Sequence, residues 1–149
     1  MPFETPLAAG EFDVVNLSAF AVVHEEGPGP HPPTTIIRTD QPWHIHIQCD
    51  TVGSATGMIT GNWHLHAYLE SIGPGPERSL FDPDEHIIPL TPKTPPATVH
   101  YHKHPDIRAG VVPAGPYKLI VAVTYIDADG NPGEMAGYWE GPIIQFYNA

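Results

Sequence analysis

Residues 42–50 read PWHIHIQCD, and they alternate without a fault. Trp43, Ile45, Ile47 and Cys49 occupy one parity; His44, His46, Gln48 and Asp50 occupy the other. A period of two puts successive side chains on opposite faces of an extended strand, and a helix, with its period of 3.6, cannot sort these residues into two faces. The alternation recurs in 61–72, GNWHLHAYLESI, where Trp63, Leu65, Ala67 and Leu69 oppose His64, His66, Tyr68 and Glu70. It recurs again in 97–104, ATVHYHKH, where Val99 and Tyr101 oppose His100, His102 and His104. No stretch of helical period and useful length competes with these runs, so the chain is expected to be all-β.

The remaining strands are read from apolar, β-branched runs bounded by turn residues. Residues 12–24 (FDVVNLSAFAVVH) form a first strand or a bent pair, 34–38 (TTIIR) a short one, and 80–90 a turn with a short strand around His86 to Ile88. The most apolar run, 112–126, is expected to be central, and YWEGPIIQFYN supplies the last strand. GPGPHPP at 27–33 is a stiff connector that sheet interiors reject, and DADGNPGEMAG is a hairpin loop built on Asp-Gly and Asn-Pro turn signals. Nineteen prolines and fourteen glycines are spread between strands and not gathered in one tract, so they mark turns. A chain of 149 residues suits one domain, 1–149, with a core large enough to need no disulfide.

Ala114-Gly115-Pro116-Tyr117-Lys118-Leu119 resembles the E–F corner of immunoglobulin-like sandwiches, in which a Tyr precedes the inward residue of strand F by two positions and its hydroxyl anchors the corner. The resemblance spans about a dozen residues and implies an immunoglobulin-like antiparallel β-sandwich of about seven strands. It implies strand A near 12–24, B at 42–50, C at 61–70, D near 80–90, E at 97–104, F at 117–126 and G at 138–147. Trp63 then takes the core tryptophan position of strand C. A jelly-roll or cupin-like barrel is the alternative architecture.

Composition narrows the function. Six Lys and Arg against seventeen Asp and Glu leave a formal charge of −11, with no basic stripe for phosphates, so neither nucleic acid nor an anionic membrane surface is an expected partner. No run approaches the roughly 18 apolar residues of a membrane-spanning helix. One cysteine, Cys49, excludes an intrachain disulfide; with no secretory signal pattern at the start, a cytoplasmic location is favoured.

Ten histidines stand out, seven of them in three runs of His-x-His spacing, 44/46, 64/66 and 100/102/104. Two histidines one residue apart on a strand share a face about 7 Å apart, and a facing strand lies about 5 Å away, so a pair plus one facing imidazole forms a three-nitrogen site with an open position. Strands B and E adjoin in the sandwich the resemblance implies. His44, His46, His100, His102 and His104 are therefore expected to share one outer face, and His64, His66 and Glu70 to lie on the other. Imidazole suits Zn, Cu or Ni ions. The leading expectation is a non-enzymatic module that binds such an ion, within a chain or between chains of a homo-oligomer. A structural self-assembly subunit is the second reading. The third is a cupin-like metalloenzyme, because His64-x-His66-x-x-x-Glu70 resembles the first cupin metal motif, although no second motif follows it. Asp127-x-Asp129-x-Asn131 starts like a calcium loop, but Pro132 and Tyr138 replace the required glycine and glutamate, which leaves a polar turn. Cys49 is expected to point inward, and His24 and His31 to be surface residues.

Overall fold

The computed structural model describes residues 3–5, 10–23, 33–73, 77–80, 86–92 and 94–149. The strands in chain order are β1 (Phe3–Glu4), β2 (Asp13–Val23), β3 (Ile36–Arg38), β4 (Trp43–Val52), β5 (Asn62–Ser71), β6 (Arg78–Ser79), β7 (Ile87–Pro89), β8 (Val99–Lys103), β9 (Asp106–Ile107), β10 (Gly115–Ile126) and β11 (Pro132–Tyr147). Their only helical interruption among the described residues is a single 3-10 turn at Ser54–Gly57.

The alternation seen in the sequence becomes two packed sheets. One has seven strands in the order β1-β11-β10-β5-β6, with β3 added beside β11 and β7 beside β5. The other has four, ordered β2-β4-β8, with β9 continuing the β8 edge of β4. All pairings are antiparallel except that of β3 with β11. The sheets do not close on each other, so the molecule is a β-sandwich and a closed, cupin-like barrel is excluded.

Inward positions of the two sheets build one core. Trp43, Ile45, Ile47 and Cys49 of β4 face Trp63, Leu65, Ala67 and Leu69 of β5, and Leu119, Val121 and Val123 of the central strand β10 complete the opposite wall. Each fully buried aliphatic side chain contributes about 1.5–3 kcal/mol, which is why the outward residues of the same strands can be polar at little cost. Trp63 is fully buried, stacked on Phe12 at 6.2 Å and edge-on to Phe3 and Tyr125. Tyr117 is buried against Phe146, and its ring lies over Gly115, whose φ of 146° and open Cα face leave room for it.

Several local expectations change. The 12–24 run is one strand, but its register with β4 slips between Val15 and Ser18, so buried parity moves from Val14 to Leu17, Ala19 and Ala21. Asn16, at the slip, has φ 57°, the one left-handed non-glycine conformation among the described residues. The bulge reorients its side chain. The TTIIR strand leaves the sheet that β2 and β4 share and crosses to β11. The hairpin loop is shorter than its turn residues suggested: the turn closes over Asp127–Asn131, and β11 starts at Pro132 because the glycine-rich segment that follows pairs with β10 on one side and, at Ala136 and Gly137, with β1 on the other. The strand expected near 80–90 is β7, paired with β5. The GPGPHPP connector (except Pro33), His24, His31 and the turn at 81–85 lie outside the described residues.

Candidate functional site

The register of β4 with β8 decides which outward residues meet. Asp50 lies opposite His100 and Gln48 opposite His102. His44 lies opposite Asp106 of β9. His104, at the β8–β9 junction, falls between these rows, and its ring meets His46 edge-on with centroids 4.1 Å apart. His104 also contacts His44 at 5.9 Å and His102 at 5.6 Å, while His46 and His102 stack at 6.3 Å. Phe20 of β2, in register with His46, stacks on its other side at 4.7 Å. The five histidines expected on this face are all there, but only four form a cluster.

The fifth, His100, is held elsewhere. Its Nδ1 lies 2.5 Å from Asp50 Oδ1, and Asp50 Oδ2 accepts a hydrogen bond of 3.0 Å from the side-chain amide of Asn16. An ionised carboxylate can only accept, so Nδ1 of His100 is the donor of this pair. Burial works to raise the Asp50 pKa, but hydrogen bonds from Asn16 and His100 outweigh it and hold the carboxyl below its ordinary range. Both groups open on the same surface depression of about 750 Å³, with Asn16, Asp50 and His100 along one part of its wall and His46, His102 and His104 along another.

The cluster perturbs its own protonation. The His46 pKa is lowered, first by burial and then by His104, against a hydrogen bond with Gln48 that pulls the other way; His102 and His44 lower it further. Cys49, on the same strand, faces the core, and burial pushes its thiol up to about 12, so it is neither a nucleophile nor a metal-ready thiolate.

His64, His66 and Glu70 stand on the outer face of the seven-stranded sheet, on the parity opposite Trp63, Leu65, Ala67 and Leu69. Their facing residues are not ligands: Thr124 and Ile87 flank His64, Ala122 faces His66, and Lys118 faces Glu70. His66 Nε2 lies 3.2 Å from Thr124 Oγ1, and burial, then His64, lowers the His66 pKa. With no barrel interior for them to line, the cupin-like arrangement expected for these three residues is not formed.

Among the described residues, no three His, Cys, Asp or Glu side chains converge as a ready-made ion site. The rings of His46, His102 and His104 nevertheless make a complete triangle of contacts. The sequence does not mark Phe20, Gln48 or Asn16 as site residues; the outward parity of Gln48 and Asp50 with His44 and His46 is the available signal for the polar side chains around the cluster, whereas nothing in the sequence marks the bulge that delivers Asn16. No protein-family model matches the chain, and no curated protein matches it significantly.

Proposed function

We propose that the protein is a non-enzymatic β-sandwich module that binds one transition-metal ion of the zinc, copper and nickel class through His46, His102 and His104. The observation that carries this reading is the triangle of ring distances, 4.1, 5.6 and 6.3 Å. Three imidazoles on one tetrahedral ion, each bound at about 2.0–2.1 Å, have centroids about 5 Å apart. Shifts of each ring by about 1 Å would bring the three centroid separations near that value, and binding further requires the ring nitrogens to turn toward a common point. The order β2-β4-β8 beside β5-β10-β11 supports an immunoglobulin-like version of the sandwich, with the ion on the outer face of its strands B and E.

The test is calorimetric titration of untagged, chelator-stripped protein with Zn²⁺, Cu²⁺ and Ni²⁺. One ion per chain and a raised melting temperature are expected, since ligand at 100 times its Kd adds about 2.7 kcal/mol to stability. An unchanged melting temperature in excess Zn²⁺ and Cu²⁺ overturns the reading.

Self-assembly is favoured by a separate observation. Ile36 and Ile143 are 61% and 54% exposed, and Tyr147 is also exposed, where β3 lies along β11. Such a row of apolar side chains fits a contact with a second copy. Light scattering of metal-free protein at high concentration tests it; a strict monomer counts against it.

A further inference from the structure

The outer face of the seven-stranded sheet carries a depression of its own, about 330 Å³, lined by Glu4, Ala122, Thr124, Ala136 and Tyr138 among others. Register explains it. Ala122 of β10 lies opposite Tyr138 of β11, Thr124 lies opposite Ala136, and Ala136 in turn lies opposite Glu4 of β1. Ala122 and Ala136 end in methyl groups, so the surface is low there, while the longer side chains of Tyr138 and Glu4 rise beside it. Those two are diagonal neighbours across the β1–β11 pair, which sets their backbones about 7–8 Å apart.

An apolar floor with one aromatic ring and one carboxylate at its rim suits a particular chemistry. Tyr138 is 46% exposed, and the face of a tyrosine ring attracts a cation within about 6 Å of its centre. Glu4 adds a full negative charge, and a cation seated between the two is within reach of both. The formal charge of −11 favours cations near the surface as a whole. Lys118, a basic group on the same face, is bound to Glu140 at 2.8 Å. A primary ammonium brings three N–H donors that each need an acceptor. The Thr124 hydroxyl is already engaged by His66 at 3.2 Å, and the alanine floor offers no side-chain acceptor. A quaternary ammonium has no N–H to satisfy, and its methyl groups can pack on the two alanines.

We propose that this depression binds the N-methylated ammonium group of a small organic cation, with its methyl groups on Ala122 and Ala136, the Tyr138 ring on one side and the Glu4 carboxylate on the other. The site shares no residue with the imidazole cluster and does not depend on whether that cluster holds an ion.

The test is an NMR titration of the full chain with choline, read on the backbone amides of Ala122, Ala136 and Tyr138. Saturable shifts are expected. The uncharged isostere 3,3-dimethylbutan-1-ol, which has carbon in place of the ammonium nitrogen, should bind at least about tenfold more weakly, and ethanolamine, the primary ammonium, about fivefold more weakly. Tyr138→Leu should weaken choline binding about fivefold and Tyr138→Phe should keep it within about twofold, since the ring and not the hydroxyl attracts the cation. Glu4→Gln should cost about threefold. Ala122→Leu, an outward substitution that fills the floor, should abolish the shifts, while His104→Ala should leave them unchanged. Absence of saturation at about 100 mM choline overturns the proposal. So does equal binding of the uncharged isostere, or choline binding that is as tight in Tyr138→Leu and Ala122→Leu as in the wild type. Ethanolamine binding as tightly as choline overturns the preference for methylated nitrogen. A trimethyllysine peptide that binds more than about tenfold tighter than choline overturns a free small molecule as the occupant.

Discussion

On the four-stranded sheet, His46 looks across the ladder to His104 at 4.1 Å; on the seven-stranded sheet, His66 looks across to Ala122 and hydrogen-bonds Thr124. Both faces carry a His-x-His pair on a long strand backed by a buried tryptophan, Trp43 or Trp63. The pair alone therefore does not make a cluster. What differs is the neighbour: β8 brings imidazoles to the row that β4 presents, whereas β10 and β7 bring Ala, Thr and Ile. Parity assigns a face, and register assigns a partner.

The largest effect should come from the hub. His104 contacts His44, His46 and His102, so His104→Ala is expected to weaken Zn²⁺ binding by about two orders of magnitude in calorimetry, while His64→Ala and His66→Ala leave it unchanged. Comparable losses from both faces would dissolve the distinction. Next in size is a gain on the poorer face. Ala122→His puts an imidazole opposite His66, and a second binding event should appear in the same titration; its absence would mean that register is not sufficient.

The pH dependence is smaller and has a definite sign. His46 and His66 both have lowered pKa values in the folded protein, so the unfolded chain takes up more protons as pH falls through the ordinary histidine range near 6.5. Stability should be fullest above that range and decline as pH drops through it toward the lowered values. The melting temperature of metal-free protein is expected to fall between pH 7.5 and 5, less so in His46→Gln. A flat profile would show that neither pKa is lowered in the folded protein. The smallest change should follow Phe20→Leu, which removes the ring stacked on His46; Zn²⁺ affinity should drop about two- to threefold, matching a ring contact near the low end of its usual range.

Much of this was legible beforehand, for identifiable reasons. Alternation in 42–50 and 61–72 marked the core residues of β4 and β5, because a half-buried strand must sort its side chains, whereas the expected separation of the two histidine faces came from the sandwich resemblance and not from alternation. The capture of His100 by Asp50 was not legible, since it depends on which residue of β8 stands opposite which of β4. Nor was the crossing of β3, a three-residue strand whose partner is more than a hundred residues away. The bulge at Asn16 was hidden for a further reason: VVNLSA reads as an ordinary apolar strand, and only pairing with β4 shows that one residue is surplus.

The inward turn of Cys49 has a consequence for selectivity among ions. It sits between Gln48 and Asp50, one residue from the imidazole row, and a flip of parity would add sulfur to that row. With the thiol sealed in the core and held up near 12, the donors available outside are nitrogen and oxygen. Soft thiophilic ions such as Cu(I) gain nothing from such a surface, while borderline ions that prefer imidazole do. One side chain facing away would thus tune the hardness of the proposed ion site without touching it.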